Sequence, residues 1–342
     1  MGFLYIILAL LVFGCLIFIH EFGHFITARI FGVTIKEFAI GMGPKIFQRT
    51  SEKSGTAYSL RAFPIGGYVS MAGEDEASDD PNAFNKKAVW KRFIITVAGA
   101  AMNILLGIIV MFAIVFATRS LASTTVAEFR ENAVSVSSGL QVGDKVIKVD
   151  NKRVHTGNDL IYQIMHKGAE PVDITVIRDG EEIVLPEILF ASETEAGVTY
   201  GTPDFLVYSE RPTFPNLLRH AFYRSISTVS MIWDSITDLF SGRYGIEAVS
   251  GPVGTTSAIG EAASQGASTF FYIVVIITMN LGVMNLLPFP ALDGGRLIFL
   301  MIEGIRRKPI KPEIEGYINF AGLVILLVFM VFITFKDIIG LI

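Results

Sequence analysis

Four stretches of this 342-residue chain contain no Lys, Arg, Asp, Glu or His: 1–19, 93–118, 262–292 and 316–335. Each can hold the roughly 20-residue helix that crosses a bilayer, so the pattern predicts four transmembrane helices. The first stretch has no basic residue ahead of its apolar run and no evident Ala-x-Ala-like cleavage site, which favours a helix over a signal peptide. Residues 215–240 differ, because Arg219, His220, Arg224, Asp234 and Asp238 interrupt Leu217, Leu218, Phe222, Ile226, Val229, Ile232, Trp233 and Ile236. That spacing predicts an amphipathic helix lying at the membrane surface or packed on it.

Between the second and third stretches the pattern changes to short strands and a helix. Residues 146–149 form a β-like run followed by an Asp150-Asn151 turn. Thr156 or Asn158 can cap a helix with Leu160, Ile161, Ile164 and Met165 on one side and Gly168 at its end. Residues 172–178 alternate, Asp179-Gly180 signals a hairpin, and 182–188 return. Nearer the N-terminus, 45–48 and 56–63 flank Ser51-Glu-Lys-Ser-Gly55 as hairpin arms, and Pro64-Ile-Gly-Gly67 permits a sharp re-entry.

Composition agrees with a bilayer: 51% of residues are hydrophobic, 18% are charged and the mean hydropathy is +0.54. The net charge of -4, with no basic stripe, gives no reason to expect a nucleic-acid partner. The lone cysteine, Cys15, excludes an internal disulfide and reads as a small buried hydrophobe. Lys36, Lys45, Arg49, Lys53, Arg61, Lys86, Lys87, Lys91 and Arg92 follow the first span, and Arg296, Arg306, Arg307, Lys308 and Lys311 follow the third. By the positive-inside rule both loops face the cytoplasm, with the long middle region and both termini outside.

The chemistry sits where the first apolar stretch ends. His20-Glu21-Phe22-Gly23-His24 is an H-E-x-x-H pattern, whose histidines share one helix face one turn apart and can hold a single Zn2+. Glu21 beside them can take a proton from an activated water. The pattern arises by chance on surface helices, and a helix that had left the membrane by His20 would be the structural alternative. Phe25, Ile26, Ile30 and Phe31 continue the apolar pattern, and ionisable groups at membrane depth are costly enough to be functional by default.

A catalytic zinc takes three protein ligands. His155, His166 and His220 fall in the exported region, whereas the first and third spans run in the same direction and bring Asp293 into the leaflet of His20 and His24. Pro288 and Pro290 break the third span just before it, leaving irregular backbone that is tolerated only beside protein or a watery cavity. Asn285 and Asn103 each either donate a hydrogen bond to substrate or join helices.

The pairing of HEFGH with Asn285-Leu-Leu-Pro-Phe-Pro-Ala-Leu-Asp-Gly-Gly295 resembles the site-2 protease family of intramembrane zinc metalloproteases, in particular the bacterial RseP type. The resemblance extends to Phe38-Ala-Ile-Gly-Met-Gly-Pro44, Pro64-Ile-Gly-Gly-Tyr-Val-Ser-Met71 and Ser250-Gly-Pro-Val-Gly254, and residues 138–154 resemble part of a PDZ domain. A β-rich module without a ligand is the alternative for that domain.

The resemblance implies a polytopic α-helical membrane protein with four transmembrane helices, an inserted α/β PDZ-like domain and a membrane-associated β-hairpin. Its expected segments are 1–31, first helix; 32–92, cytoplasmic loop with hairpin; 93–118, second helix; 119–208, PDZ-like domain. These are followed by 209–261, amphipathic helix and connector; 262–292, third span; 293–315, cytoplasmic loop; and 316–342, fourth helix. It implies His20, His24 and Asp293 as zinc ligands, Glu21 as catalytic acid and base, and Asn285, Pro288 and Pro290 in the substrate-binding segment. The implied substrate is a single-pass membrane protein already shortened outside by another protease. The implied setting is the bacterial cytoplasmic membrane, with the active site near the cytoplasmic side. Two features depart from the RseP pattern: there is room for one PDZ-like domain rather than two, and Gly99-Ala100 stands where relatives often have Gly-Pro. A transporter would more often show repeated halves, and a silent scaffold would lack the glutamate.

Overall fold

The computed structural model describes residues 2–74, 76, 78–195 and 198–340. The chain runs through α1 (Gly2–Ile30), β1 (Ile35–Thr50), β2 (Ala57–Met71), α2 (Val89–Ala117), β3 (Leu121–Phe129), β4 (Lys145–Val149), β5 (Lys152–Arg153) and α3 (Gly157–Lys167). It continues through β6 (Val172–Arg178), β7 (Glu181–Ile188), β8 (Ala191–Glu195), β9 (Val198–Thr202), β10 (Phe205–Glu210), α4 (Phe214–Ser241), α5 (Pro252–Gln265), α6 (Ala267–Asn285), α7 (Asp293–Arg306) and α8 (Pro312–Ile339). Two units result, one of residues 1–107 with 250–342 and one of residues 108–249.

Among the described residues four helices, at 3–30, 89–117, 267–285 and 313–339, are long and apolar enough to cross a membrane. Phe3, Leu11, Phe320 and Phe332 are each more than half exposed, a surface suited to lipid rather than water. Cys15 lies exposed on α1 instead of buried. A helix that is apolar all round gives no sequence mark for which positions face protein and which face lipid.

The third apolar segment is shorter than 262–292. Gly266, at φ 118°, closes α5, and the spanning helix α6 starts at Ala267. Residues from 293 onward, expected as loop, form the 14-residue helix α7, with Leu297 and Leu300 buried. Arg296 and Arg306 mask that amphipathic pattern in the sequence.

The hairpin is larger than the expected arms. β1 and β2 run either side of the Ser51 to Gly55 turn, and residues 64–67 continue β2. Residues 37–40 have two sets of partners, Ser70 to Gly67 on one side and Ala57 to Leu60 on the other, while Phe47 to Thr50 pair with Leu60 to Ala57. The sheet is therefore four segments wide, with 67–71 along one edge and 47–50 along the other. Phe25, Ile35, Phe38, Met71, Phe84 and Ile95 make a core that ties this sheet to α1 and α2.

Glu37 pins the sheet's centre, accepting hydrogen bonds from Ser59 Oγ at 2.5 Å and Arg61 at 3.0 Å, with Lys45 Nζ at 3.4 Å. Burial opposes its ionisation, but hydrogen bonds from Ser59, Tyr68, Arg61 and Lys45 outweigh burial and hold the carboxyl at about 2. A folded value below the ordinary 4.5 gives stability that is complete above that pH and lost as pH falls through about 2. Thermal unfolding measured from pH 6 down to pH 2.5 is expected to show the native chain's advantage over a Glu37→Gln variant holding constant to about pH 5 and shrinking below it. A gap that stays constant throughout would remove Glu37 from this role.

At the far end of the chain, Asp337 on α8 accepts the Gly251 N–H at 2.9 Å and the Gly254 N–H at 2.8 Å, satisfying two orphan donors at the start of α5. A Cβ at Gly260 on α5 would lie 2.7 Å from the Tyr5 ring, so α5 also packs tightly on α1.

In the second unit the sheet order is β10-β3-β4-β6-β7, with β5 on β4. Val146, Val149, Leu160, Ile164, Ile174, Val176 and Ile188 fill its core. Thr156 and Asp159 form a reciprocal capping box on α3. Of the four residues expected on one side of α3, Leu160 and Ile164 are buried and Ile161 and Met165 are exposed, while Gln163 is buried. Asp179 and Gly180 adopt φ of 54° and 89°, as the hairpin turn requires. α4 spends its polar residues on this domain, with Asp238 2.5 Å from His166 and Asp234 3.4 Å from Lys152. Phe214, Phe222, Ile226, Trp233 and Phe240 remain exposed along its other face.

Candidate metal centre

α1 continues without a break through His20 and His24 to Ile30, so both imidazoles project from one regular face. α2 crosses there at very short range. A Cβ at Gly23 would lie 2.7 Å from the Ala98 carbonyl carbon and 2.8 Å from Met102 Cγ. A Cβ at Gly99 would lie 2.7 Å from His24 Cε1 and 2.8 Å from His20 Cε1. Real Cβ atoms essentially never come this close, so only glycine fits either position.

Asp293 arrives from the other side of a tight turn. α6 ends at Asn285, Ala291 takes φ 72° with its N–H donating to Asn319 Oδ1 at 3.3 Å, and α7 restarts at Asp293. A side chain at Gly294 would meet Leu286 O at 2.6 Å, and one at Gly295 would lie 3.0 Å from the Phe289 carbonyl carbon. The two glycines of the Leu292-Asp-Gly-Gly295 run thus let the new helix fold back against the turn that precedes it.

The result is a cluster of three donor atoms. Asp293 Oδ2 lies 3.1 Å from His20 Nε2 and 3.3 Å from His24 Nε2, and the two Nε2 atoms are 3.2 Å apart. His24 Nδ1–H donates to Ile95 O at 2.8 Å, so its Nε2 presents a lone pair. Asp293 Oδ2 is buried and has no hydrogen-bond donor. Three such atoms at this range can hold a metal ion between them. Bonds of about 2.0–2.1 Å in tetrahedral array put ligand atoms about 3.3 Å apart, which matches the observed edges. Two imidazoles and one carboxylate, with a fourth position open, are the donor set of a catalytic zinc.

Glu21 is half-buried beside this cluster, and its Oε2 accepts the Val69 N–H at 3.1 Å. That N–H belongs to the 67–71 edge of the hairpin sheet. Backbone donors and acceptors carry no side-chain signal, so the sequence pointed to neither the Val69 N–H nor the Ile95 carbonyl.

Among the other expected residues, Asn285 is half-buried at the end of α6, Pro288 is exposed and Pro290 packs under Gly322 of α8. Asn103 is 1% exposed and its amide lies 3.5 Å from His20 Nδ1. The remaining histidines all lie in the second unit: His155 stacks on Tyr223, His166 pairs with Asp238 and His220 with Glu210.

Comparison with known proteins agrees with this geometry. The model of peptidase family M50 matches residues 8–329. A Clostridium perfringens chain provisionally named a zinc metalloprotease is 36% identical, across 98% of this chain and 99% of the relative. Zinc metalloprotease RasP of Shouchella clausii is 30% identical, across 96% and 97%. The regulator of sigma-W protease RasP of Bacillus subtilis is 28% identical, across 97% and 98%. The chain therefore belongs to peptidase family M50, the site-2 protease family, and is a zinc metalloprotease of a bacterial membrane.

Proposed function

We propose that this enzyme hydrolyses a peptide bond within or near the transmembrane segment of a single-pass membrane protein, with His20, His24 and Asp293 holding zinc and Glu21 moving the proton. The observation that carries the reading is the convergence of one ligand-type atom each from His20, His24 and Asp293 within 4.8 Å, beside a carboxylate on an apolar helix. Zinc, when bound, polarises the scissile carbonyl and makes a water acidic enough to attack near neutral pH. Glu21 accepts that water's proton and returns it to the leaving amine nitrogen as the C–N bond breaks. The Val69 N–H fixes the carboxylate's direction throughout. Asn285 serves the developing oxyanion, and Pro288 and Pro290 shape the turn along which substrate lies.

A helix is protected from hydrolysis because its carbonyls are bonded internally. The hairpin is membrane-associated in this reading, and its edge beside Glu21 offers an unwound substrate backbone alternative partners. Residues 121–210 act as a PDZ-like module that docks or screens what another protease has left of the substrate outside. The active site lies toward the cytoplasmic side, following the basic loops.

The test is cleavage, in liposomes, of a tagged single-pass substrate supplied intact or with its outer domain removed. The trimmed form is expected to be cut, cutting to stop on chelation and to return with added zinc. A zinc-loaded chain that cuts no helix of low stability would sink the proposal.

A further inference from the structure

Three positions of α2 face the histidine pair: Ile95, Gly99 and Asn103, spaced four apart like the histidines themselves. Ile95 O takes the Nδ1–H of His24 at 2.8 Å. Gly99 admits both rings. Asn103 stands at the Nδ1 of His20, with Nδ2 at 3.5 Å and with Oδ1 buried and unpartnered. Helices α1 and α2 thus meet in opposite senses, Ile95 serving His24 and Asn103 serving His20.

We infer that Asn103 is a positioning residue of the metal centre: its side-chain Oδ1 accepts the Nδ1–H of His20, fixing the tautomer and ring angle that leave the Nε2 lone pair on the metal. Nδ2 facing Nδ1 would put the proton of His20 on Nε2, where it blocks ligation. A half-turn of the amide exchanges its two ends and supplies the acceptor, since oxygen and nitrogen occupy nearly the same space. The alternative of an amide that merely joins helices leaves Oδ1 without a partner at a residue 1% exposed, while the other end of the same amide lies 3.5 Å from an imidazole nitrogen. Asn103 is itself held from behind, because Thr278 Oγ1 on α6 donates to Asn103 O at 3.1 Å. Partners of this kind fix metal-ligating histidines generally, and their loss costs roughly 10–100-fold in metal affinity.

The inference rests on the zinc-ligand reading of His20 and His24, and the test separates the two. Zinc affinity is measured by chelator competition on the full chain in detergent, with thermal unfolding of the zinc-free protein alongside. Asn103→Leu, similar in size but with no acceptor, is expected to bind zinc about 10–100-fold more weakly with the zinc-free unfolding temperature unchanged. Asn103→Asp keeps an acceptor and is expected to bind about as tightly as the native chain. A residue that only filled space would give the reverse order. Should N103L fail to fold, N103S, whose hydroxyl is too short to reach the ring, carries the same expected loss. Native affinity in the Leu or Ser variant overturns the inference. A His24→Ala control that also keeps native affinity overturns the ligand reading instead.

Discussion

A Glu21→Gln chain is expected to keep its full zinc content and to lose cleavage of the trimmed substrate by at least about 10²–10⁴-fold, the range ascribed to a positioned acid or base. Gln has the same shape and can still engage the Val69 N–H through its amide oxygen, so the hairpin edge keeps its place beside α1. What disappears is the ability to take a proton and give it back. Because Glu21 contributes no ligand atom to the cluster of His20, His24 and Asp293, zinc content should not follow activity. Zinc analysis and turnover on the same preparation check this. Loss of both together would mean that Glu21 supports the metal site rather than the chemistry, and retained turnover would remove it from the mechanism.

Gly99→Ala should do the opposite, abolishing metal binding first. The added methyl would come within 3.0 Å of both imidazoles, and on one side it meets the ring nitrogen that faces the other donors. The rings cannot simply retreat, since His24 is anchored to Ile95 O and α1 packs its Gly23 against Ala98. Either the helices part or the rings turn, and a 1 Å misplacement is enough to cost about 10²-fold in rate. The expected result is zinc bound at least about tenfold more weakly and cleavage below detection. Ala101→Val, exposed on the same helix, should leave both unchanged. Normal zinc in G99A would mean that the crossing of α1 and α2 is looser than it looks.

The spanning helices and the histidine pair were legible because each has a local cause: apolar length for the helices, and a spacing of four for His20 and His24. Asp293 was legible by a different route, since only a residue on the same side as the end of α1 could join them. The break of the third span before Asp293 followed from Pro288 and Pro290, which cannot continue a helix. The supports were hidden. Ile95 and Val69 act through backbone atoms, and Gly99 matters for what it lacks. The break at Gly266 follows Ser264 and Gln265, which carry no charge and so left the uncharged run of 262–292 unbroken. The width of the hairpin sheet depends on residues 37–40 being paired twice, a non-local fact that no strand pattern encodes. Asn103 lies 3.5 Å from the His20 ring on another helix, a proximity that spacing within α2 cannot reveal.

Asp337 joins the two ends of the polypeptide by way of a helix that is not itself long enough to span. Through α5, the Tyr5 end of the first span and the Asp337 end of the last are fastened to one buckle. The final helix therefore belongs to the working body of the enzyme and is not a detachable anchor. A chain cut short of residue 337 would leave the Gly251 and Gly254 donors bare in a place poor in water, and the helix bearing the histidines would lose a neighbour at its opposite end.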